Sequence, residues 1–253
     1  VYCYSPDQSK PYIAPLSSPS GFVLTRAVEE ANLLDHPHHQ GVFFAYGDVN
    51  GVDFWGNQTT LPQIRHVEFL SKKSQPDCVS LEVLLHWVSP QGTLLCEERR
   101  SMRFYTVEDG YLIDFDIHLQ AKENARFGET KEGLFAIRVA DWLREKGGRG
   151  CFYSASGKRG ASAIWGTQES WVCLIAVRDN KAVLLGIQDK SESETKAYWH
   201  VRDYGLFAVN PLGRYEFETT RGIANARQLD IVLAPGESLS FCYRISLFEL
   251  NSM

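Results

Sequence analysis

The chain has 253 residues, 44% of them hydrophobic and 12% aromatic, enough to bury one large core. Its formal net charge of -5, with Lys and Arg scattered along the sequence, leaves no electrostatic footprint for nucleic acid or an anionic membrane surface. No apolar run approaches the roughly 20 residues of a helical membrane span, so small neutral or weakly charged molecules are the expected partners.

In chain order the first strand candidates are 22-28, 42-46 and 64-71, followed by an alternating row at Leu81, Val83, Leu85 and Trp87 and a long run at 94-106. Tyr111 to Leu119 alternates most clearly: Tyr111, Ile113, Phe115, Ile117 and Leu119 are apolar, and Asp114, Asp116 and His118 lie between them, as in a half-buried strand. A strand at 133-140 leads into a short helix from Ala140 to Glu145, stopped by Gly147-Gly148. Glycines at 147-160 and polar residues at 189-196 mark loops. Strands are expected again at 171-177, 182-187, 205-209 and 215-220. The last two, Leu229-Ile231-Leu233 and Leu239 to Leu247, flank Pro235-Gly236 and read as a closing hairpin. So many strands without a parallel βαβ rhythm predict an all-β fold, a large two-sheet antiparallel sandwich occupying residues 1-253 as one domain.

The six cysteines form no C-x-x-C pair and sit mostly in apolar runs, which reads as buried thiols of a reducing, cytoplasmic compartment. A secreted or periplasmic location stays open, since a leader could have been removed before Val1 and Asn57-Gln58-Thr59 is a formal glycosylation sequon.

Two segments carry chemistry-bearing residues. Residues 35-56 combine His36, His38 and His39 with Asp35, Asp48, Asp53, Asn50 and aromatic residues including Trp55. Imidazoles suit proton transfer near neutral pH and metal ligation, and aromatic faces suit sugar rings. Pro37 favours an extended backbone at His36, which would put His36 and His38 on one face and His39 on the other. Two imidazoles make a divalent metal on His36 and His38 an option, with a third ligand needed from Glu98, Glu132 or His200. The alternative is a structural turn whose imidazoles cap backbone groups. In the second segment, Ala197 to Gly213, His200 and Arg202 share a strand face, and Trp199, Tyr204 and Asn210 lie close by. Arg202 could hold a hydroxyl or carboxylate while His200 moves a proton, or simply pair with Asp203. Elsewhere, Glu98 and Arg100 read first as an ion pair, and Glu132, at the start of an apolar strand that ends at Arg138, is the preferred candidate base. No G-x-S-x-G elbow, phosphate loop or dinucleotide fingerprint is present, so neither a serine hydrolase nor a bound nucleotide is expected.

Several motifs in order, Lys10 to Leu16, Pro19 to Arg26, His36 to Ala45, Asp48 to Trp55, Thr130 to Ala140, Trp199 to Ala208 and Asn210 to Gly213, resemble the PmoA-like family. The methane oxygenase activity in that family's name implies a membrane copper enzyme, which a chain without a membrane span excludes. The resemblance implies instead a galactose mutarotase-like supersandwich associated with oxidised-sugar metabolism. It marks Arg26, His36, His38, His39, Asp48, Asn50, Trp55, Glu132, Arg138, His200, Arg202 and Asn210.

The leading expectation is therefore a sugar-active enzyme working by acid/base chemistry on a sugar or keto sugar, by hydrolysis or elimination. His38, His39, His200 and Glu132 would move protons, and Arg26, Asp48, Asn50, Trp55, Arg138, Trp199, Arg202, Tyr204 and Asn210 would bind substrate. The competing readings are a non-catalytic carbohydrate-binding or accessory subunit, and a mutarotase or epimerase. Cofactor and oligomeric state stay open.

Overall fold

The computed structural model describes residues 1-26, 35-56, 63-192, 196-228 and 230-251, so the sequon at 57-59 and Leu229 lie outside the described residues. In chain order the strands are β1 (Tyr2–Cys3), β2 (Tyr12–Ile13), β3 (Val42–Tyr46), β4 (Gln63–Gln75), β5 (Cys78–Val88), β6 (Leu94–Val107), β7 (Gly110–Ala121), β8 (Ala125–Phe127) and β9 (Gly133–Arg138). They continue with β10 (Cys151–Ser154), β11 (Trp171–Arg178), β12 (Lys181–Asp189), β13 (Tyr198–Arg202), β14 (Leu206–Asn210), β15 (Ile231–Leu233) and β16 (Ser238–Asn251). One sheet runs β10-β11-β12-β16-β7-β6-β5-β4, a second runs β1-β2-β3-β9-β14-β13, and β15 pairs with β8 apart from both. Every pairing between these strands is antiparallel.

The core lies between the two large sheets, where period-two alternation sends aromatic residues inward. Phe135 of β9 packs 4.7 Å from Phe115 of β7 and stacks on Tyr243 of β16, while Phe44 of β3 meets Trp87 and Phe241. Ile113, Phe115, Ile117 and Leu119 are all buried, as the alternation requires. Glu98 is fully buried in this layer. It accepts hydrogen bonds from Trp87 Nε1 at 2.8 Å and Arg100 Nε at 2.6 Å, so the charges at 98 and 100 form a buried ion pair. All six cysteines are free thiols.

Four expectations change. The closing hairpin does not form: before the Pro235-Gly236 turn β15 pairs with β8, whereas after it β16 enters the large sheet between β12 and β7, because its apolar row fills the centre of that sheet. The segment expected as a strand at 215-220 is a helix, α2 (Arg214–Thr220), following the four-residue α1 (Ala161–Ile164). In α2 the adjacent residues Phe217 and Glu218 are both buried and both reach Tyr198, which neighbouring residues of a strand, pointing to opposite faces, could not do. Phe217 stacks on Tyr198 at 5.5 Å, and Glu218 accepts from Tyr198 Oη at 2.6 Å and from Arg214 Nε one turn back. The helix expected from Ala140 shortens to one 3-10 turn, Asp141–Leu143, and the 22-28 segment shows only isolated bridges at Val23 and Thr25 among its described residues.

Candidate functional site

The register of the smaller sheet decides which side chains share its outer face. Phe43, Ala136, Ala208 and His200 lie in one cross-strand row, and Arg138, Leu206 and Arg202 in the next. The alanines keep this face low, leaving room above it. Trp199 belongs to the opposite face, in a row with Val209, Phe135 and Phe44. It is fully buried, with Nε1 donating to the Glu169 carbonyl at 2.9 Å, so it is a core residue with no surface to offer a ligand.

Over the outer face opens a cleft of about 450 Å³, lined by His36, His38, His39, Asp53, Trp55, Gly56, Glu132, His200, Arg202, Asp203 and Tyr204. The four residues expected to move protons, from three separate stretches of chain, all line it. Of the expected binding residues, Trp55, Arg202 and Tyr204 line it too. Arg26 and Arg138 lie beneath, whereas Asp48, Asn50 and Asn210 hold backbone elsewhere. Asp48 accepts from Gly51 N, Asn50 bonds Arg126 N and the Asn124 carbonyl, and Asn210 bonds Leu212 N and the Thr130 carbonyl.

The histidine segment is folded by Arg26. Its buried guanidinium donates to the carbonyls of Asp35, His36 and His39, at 2.7, 2.7 and 2.8 Å, and the chain curls into a turn closed by His39 N to the His36 carbonyl. His36 takes a left-handed φ of 45°, so the extended backbone expected before Pro37 is absent. As a result His36 stacks on His39 at 5.0 Å and on Tyr204 at 4.6 Å, and His38 meets His39 edge-on at 4.2 Å; all three imidazoles gather. Beneath them Arg138 lies 4.8 Å from the Tyr204 ring centre and donates to Asp35 at 2.6 Å. The His36 and His38 rings stand edge-on with centroids 5.7 Å apart, and among the described residues no group of three or more His, Cys, Asp or Glu is placed to hold a metal ion.

Electrostatically the site keeps His38, His39 and His200 neutral. Burial, reinforced by Lys10, His36 and the two buried arginines, pushes His38 down to about 4. Burial also holds His39 well below the usual range, and it lowers His200 to about 3 with help from Arg202. His39 Nε2 accepts from Trp55 Nε1 at 3.2 Å, which places its proton on Nδ1. His200 Nε2 accepts from Arg202 Nε at 2.9 Å, so its proton too sits on Nδ1, 3.2 Å from the Lys131 carbonyl and 3.7 Å from Glu132 Oε2. Glu132 behaves oppositely: desolvation raises its carboxyl above the usual range despite Lys131 at 3.3 Å. Lys131 is drawn away by Glu216 of α2, whose carboxylate takes its Nζ at 2.6 Å and its backbone N at 2.7 Å.

A family model for DUF6807, described as a family of unknown function, matches residues 1-252. The chain belongs to DUF6807. No curated protein matches the sequence significantly. Among solved structures, the GH36 α-galactosidase AgaA of Geobacillus stearothermophilus aligns over 84% of this chain with a TM-score of 0.47 at 12% identity. A galactose mutarotase-like protein of Lactobacillus casei aligns over 98% with a TM-score of 0.44 at 9% identity. An α-galactosidase of Lactobacillus brevis aligns over the whole chain with a TM-score of 0.42 at 10% identity. The chain spans 30% and 34% of the two galactosidases but 99% of the mutarotase-like protein. At these identities none of them carries an activity or a substrate across.

In this DUF6807 chain the residue that reading the sequence left out of the site is Lys10. It is buried, its Nζ donates to the Trp55 and Gly56 carbonyls at 2.7 and 3.3 Å, and burial pushes it down to about 7 against the pull of Asp53. Lys10 thereby fixes the 53-56 wall of the cleft. The motif Lys10 to Leu16 was its only trace in the sequence, because nothing local ties it to Trp55.

Proposed function

We propose that this protein is a sugar-active enzyme that removes a proton α to the carbonyl of a keto sugar and eliminates the glycosidic substituent, with Glu132 as base. The observation that carries this reading is the convergence, in one cleft, of a single carboxylate with a raised pKa and the Arg202 guanidinium locked by His200. Ordinary glycoside hydrolysis uses two carboxylates flanking the bond. Here the other cleft carboxylates are unsuited: Asp53 is tied to Trp55 N and Gly56 N, and Asp203 is exposed. A substrate bearing its own carbonyl needs only a base and a partner for the developing oxyanion.

Glu132 takes the C–H proton, the electron pair moves onto the carbonyl oxygen opposite Arg202, and the enolate collapses by expelling the glycosidic oxygen, which recovers the proton from Glu132. Addition of water to the resulting enone completes hydrolysis. Neutral His38 hydrogen-bonds ring hydroxyls, Trp55 and Tyr204 offer aromatic faces, and His200 acts as a positioning residue because both its nitrogens are engaged. The motifs that carry the PmoA-like resemblance supply most of this lining, which supports reading both as sugar-active proteins.

Plain and 3-keto glycosides assayed by mass spectrometry test the reading. The keto substrates should turn over, Glu132→Gln should lower kcat about 100-fold or more, and the wild-type rate should fall with acid through a pKa above 4.5. Turnover of keto glycosides by Glu132→Gln at the wild-type rate would remove Glu132 as the base.

A further inference from the structure

The cleft does not end at Arg202. On the far side of that side chain lies a second cavity of about 660 Å³, and Arg202 and Asp203 line both. Each compartment has the size of a small-molecule site, usually about 300 to 1,000 Å³. Their linings differ in kind. The first is built from imidazoles and Glu132; the second from Trp165, Ser162 and Lys146, with no group suited to move a proton into a substrate. Glu145 also borders it, but its carboxylate is spent on the backbone N–H groups of Phe152 and Ala161, at 2.8 and 2.9 Å, where it holds the start of α1.

The half-exposed ring of Trp165 points to a ligand there. Trp165 is half-exposed against this space, its ring 5.5 Å from the Arg202 guanidinium carbon and braced from the side by Phe217 at 5.5 Å. Its Nε1 is buried and has no hydrogen-bond partner among the described residues, an uncommon state for an indole N–H. Trp165 is anchored through its backbone instead, its carbonyl accepting from Arg221 Nη1 at 2.7 Å.

Building on the keto-sugar reading above, we infer that the second compartment is a subsite for the leaving half of the substrate, which is therefore a two-ring glycoside rather than a monosaccharide. The departing ring packs on Trp165, its hydroxyls meet Ser162, Lys146 and Asp203, and the bond between the two rings falls beside the Arg202 guanidinium. That arrangement places the scissile oxygen next to the group that stabilises the enolate. The bond broken and the bonds formed are those of the elimination already described, and the second compartment adds only binding.

Binding can be measured apart from turnover. Wild type and Glu132→Gln are titrated calorimetrically with unoxidised methyl glucosides and galactosides and with maltose, cellobiose, lactose and melibiose, and tryptophan fluorescence is recorded in parallel. At least one disaccharide should bind about ten-fold more tightly than its methyl glycoside and perturb the fluorescence, as expected for one added aromatic contact. Trp165→Ala should erase that preference while leaving methyl glycoside binding unchanged. Ser162→Trp, which fills the compartment from the exposed side of α1, should do the same should Trp165→Ala fail to fold. If no disaccharide in the panel outbinds its methyl glycoside, or if both variants keep the preference, the subsite is refuted. A Trp165-dependent preference in a protein that never turns over a keto glycoside would uphold the subsite and overturn the proposed chemistry instead.

Discussion

The neutrality of His38, His39 and His200 follows from where single side chains lie. His38 and His200 are held at about 4 and 3, and His39 is also lowered, against 6.5 for an unfolded chain. Between those values the unfolded state binds protons that the folded state refuses, so stability is lost as pH falls below about 6.5. Urea midpoints should therefore drop between pH 7 and pH 5, and His200→Asn should shrink the drop. A midpoint that stays flat over that interval would mean that these imidazoles are charged in the folded protein. Tautomers follow from the same contacts: with Arg202 on Nε2 and the Lys131 carbonyl on Nδ1, His200 has no free lone pair for the cleft, which is why Glu132 carries the base role.

At the scale of elements, the site depends on turns held by other parts of the chain. The 130-132 turn that presents Glu132 is gripped by Glu216 of α2, and β3 closes against it through Gly47 N to the Glu132 carbonyl at 2.8 Å. A Cβ on Gly47 would sit 2.8 Å from the Glu132 Cβ. Gly47→Ala should accordingly displace Glu132 and lower kcat on keto glycosides by about ten-fold or more, since misplacing a catalytic group by an ångström can cost a hundred-fold. Circular dichroism should show the fold retained; unchanged turnover would show that the turn yields without moving the carboxylate. The histidine turn obeys the same logic. Arg26, nine to thirteen residues earlier, sets its curvature through three carbonyls, and the sequence around Pro37 does not encode that alone.

Across the molecule, the two large sheets are joined by a mostly apolar layer that contains the buried Glu98–Arg100 ion pair. Removing Glu98 leaves Arg100 charged and enclosed, so Glu98→Ala should cost about 3 to 5 kcal/mol in a urea titration. A loss under about 1 kcal/mol would mean that water reaches Arg100 in the variant. No helix among the described residues is long and apolar enough to cross a membrane.

Alternation alone determined most of the strands. The rows in β5, β7 and β16 bury one face because side chains two apart point the same way, and that holds whatever the partners are. The same local rule brought His200 and Arg202 together. Tertiary structure decided the rest, because it depends on contacts far apart in the chain. It sent Trp199 into the core and His200 into the cleft, through the register of β13 on β14. It turned 214-220 into a helix so that Phe217 and Glu218 could both reach Tyr198. It separated the presumed closing hairpin, because β16 gains more as the centre of a sheet than as the partner of a three-residue strand. It also drew Lys10, the histidine turn, Glu132 and Arg202 to one cleft, a meeting fixed by strand order and invisible in any single segment.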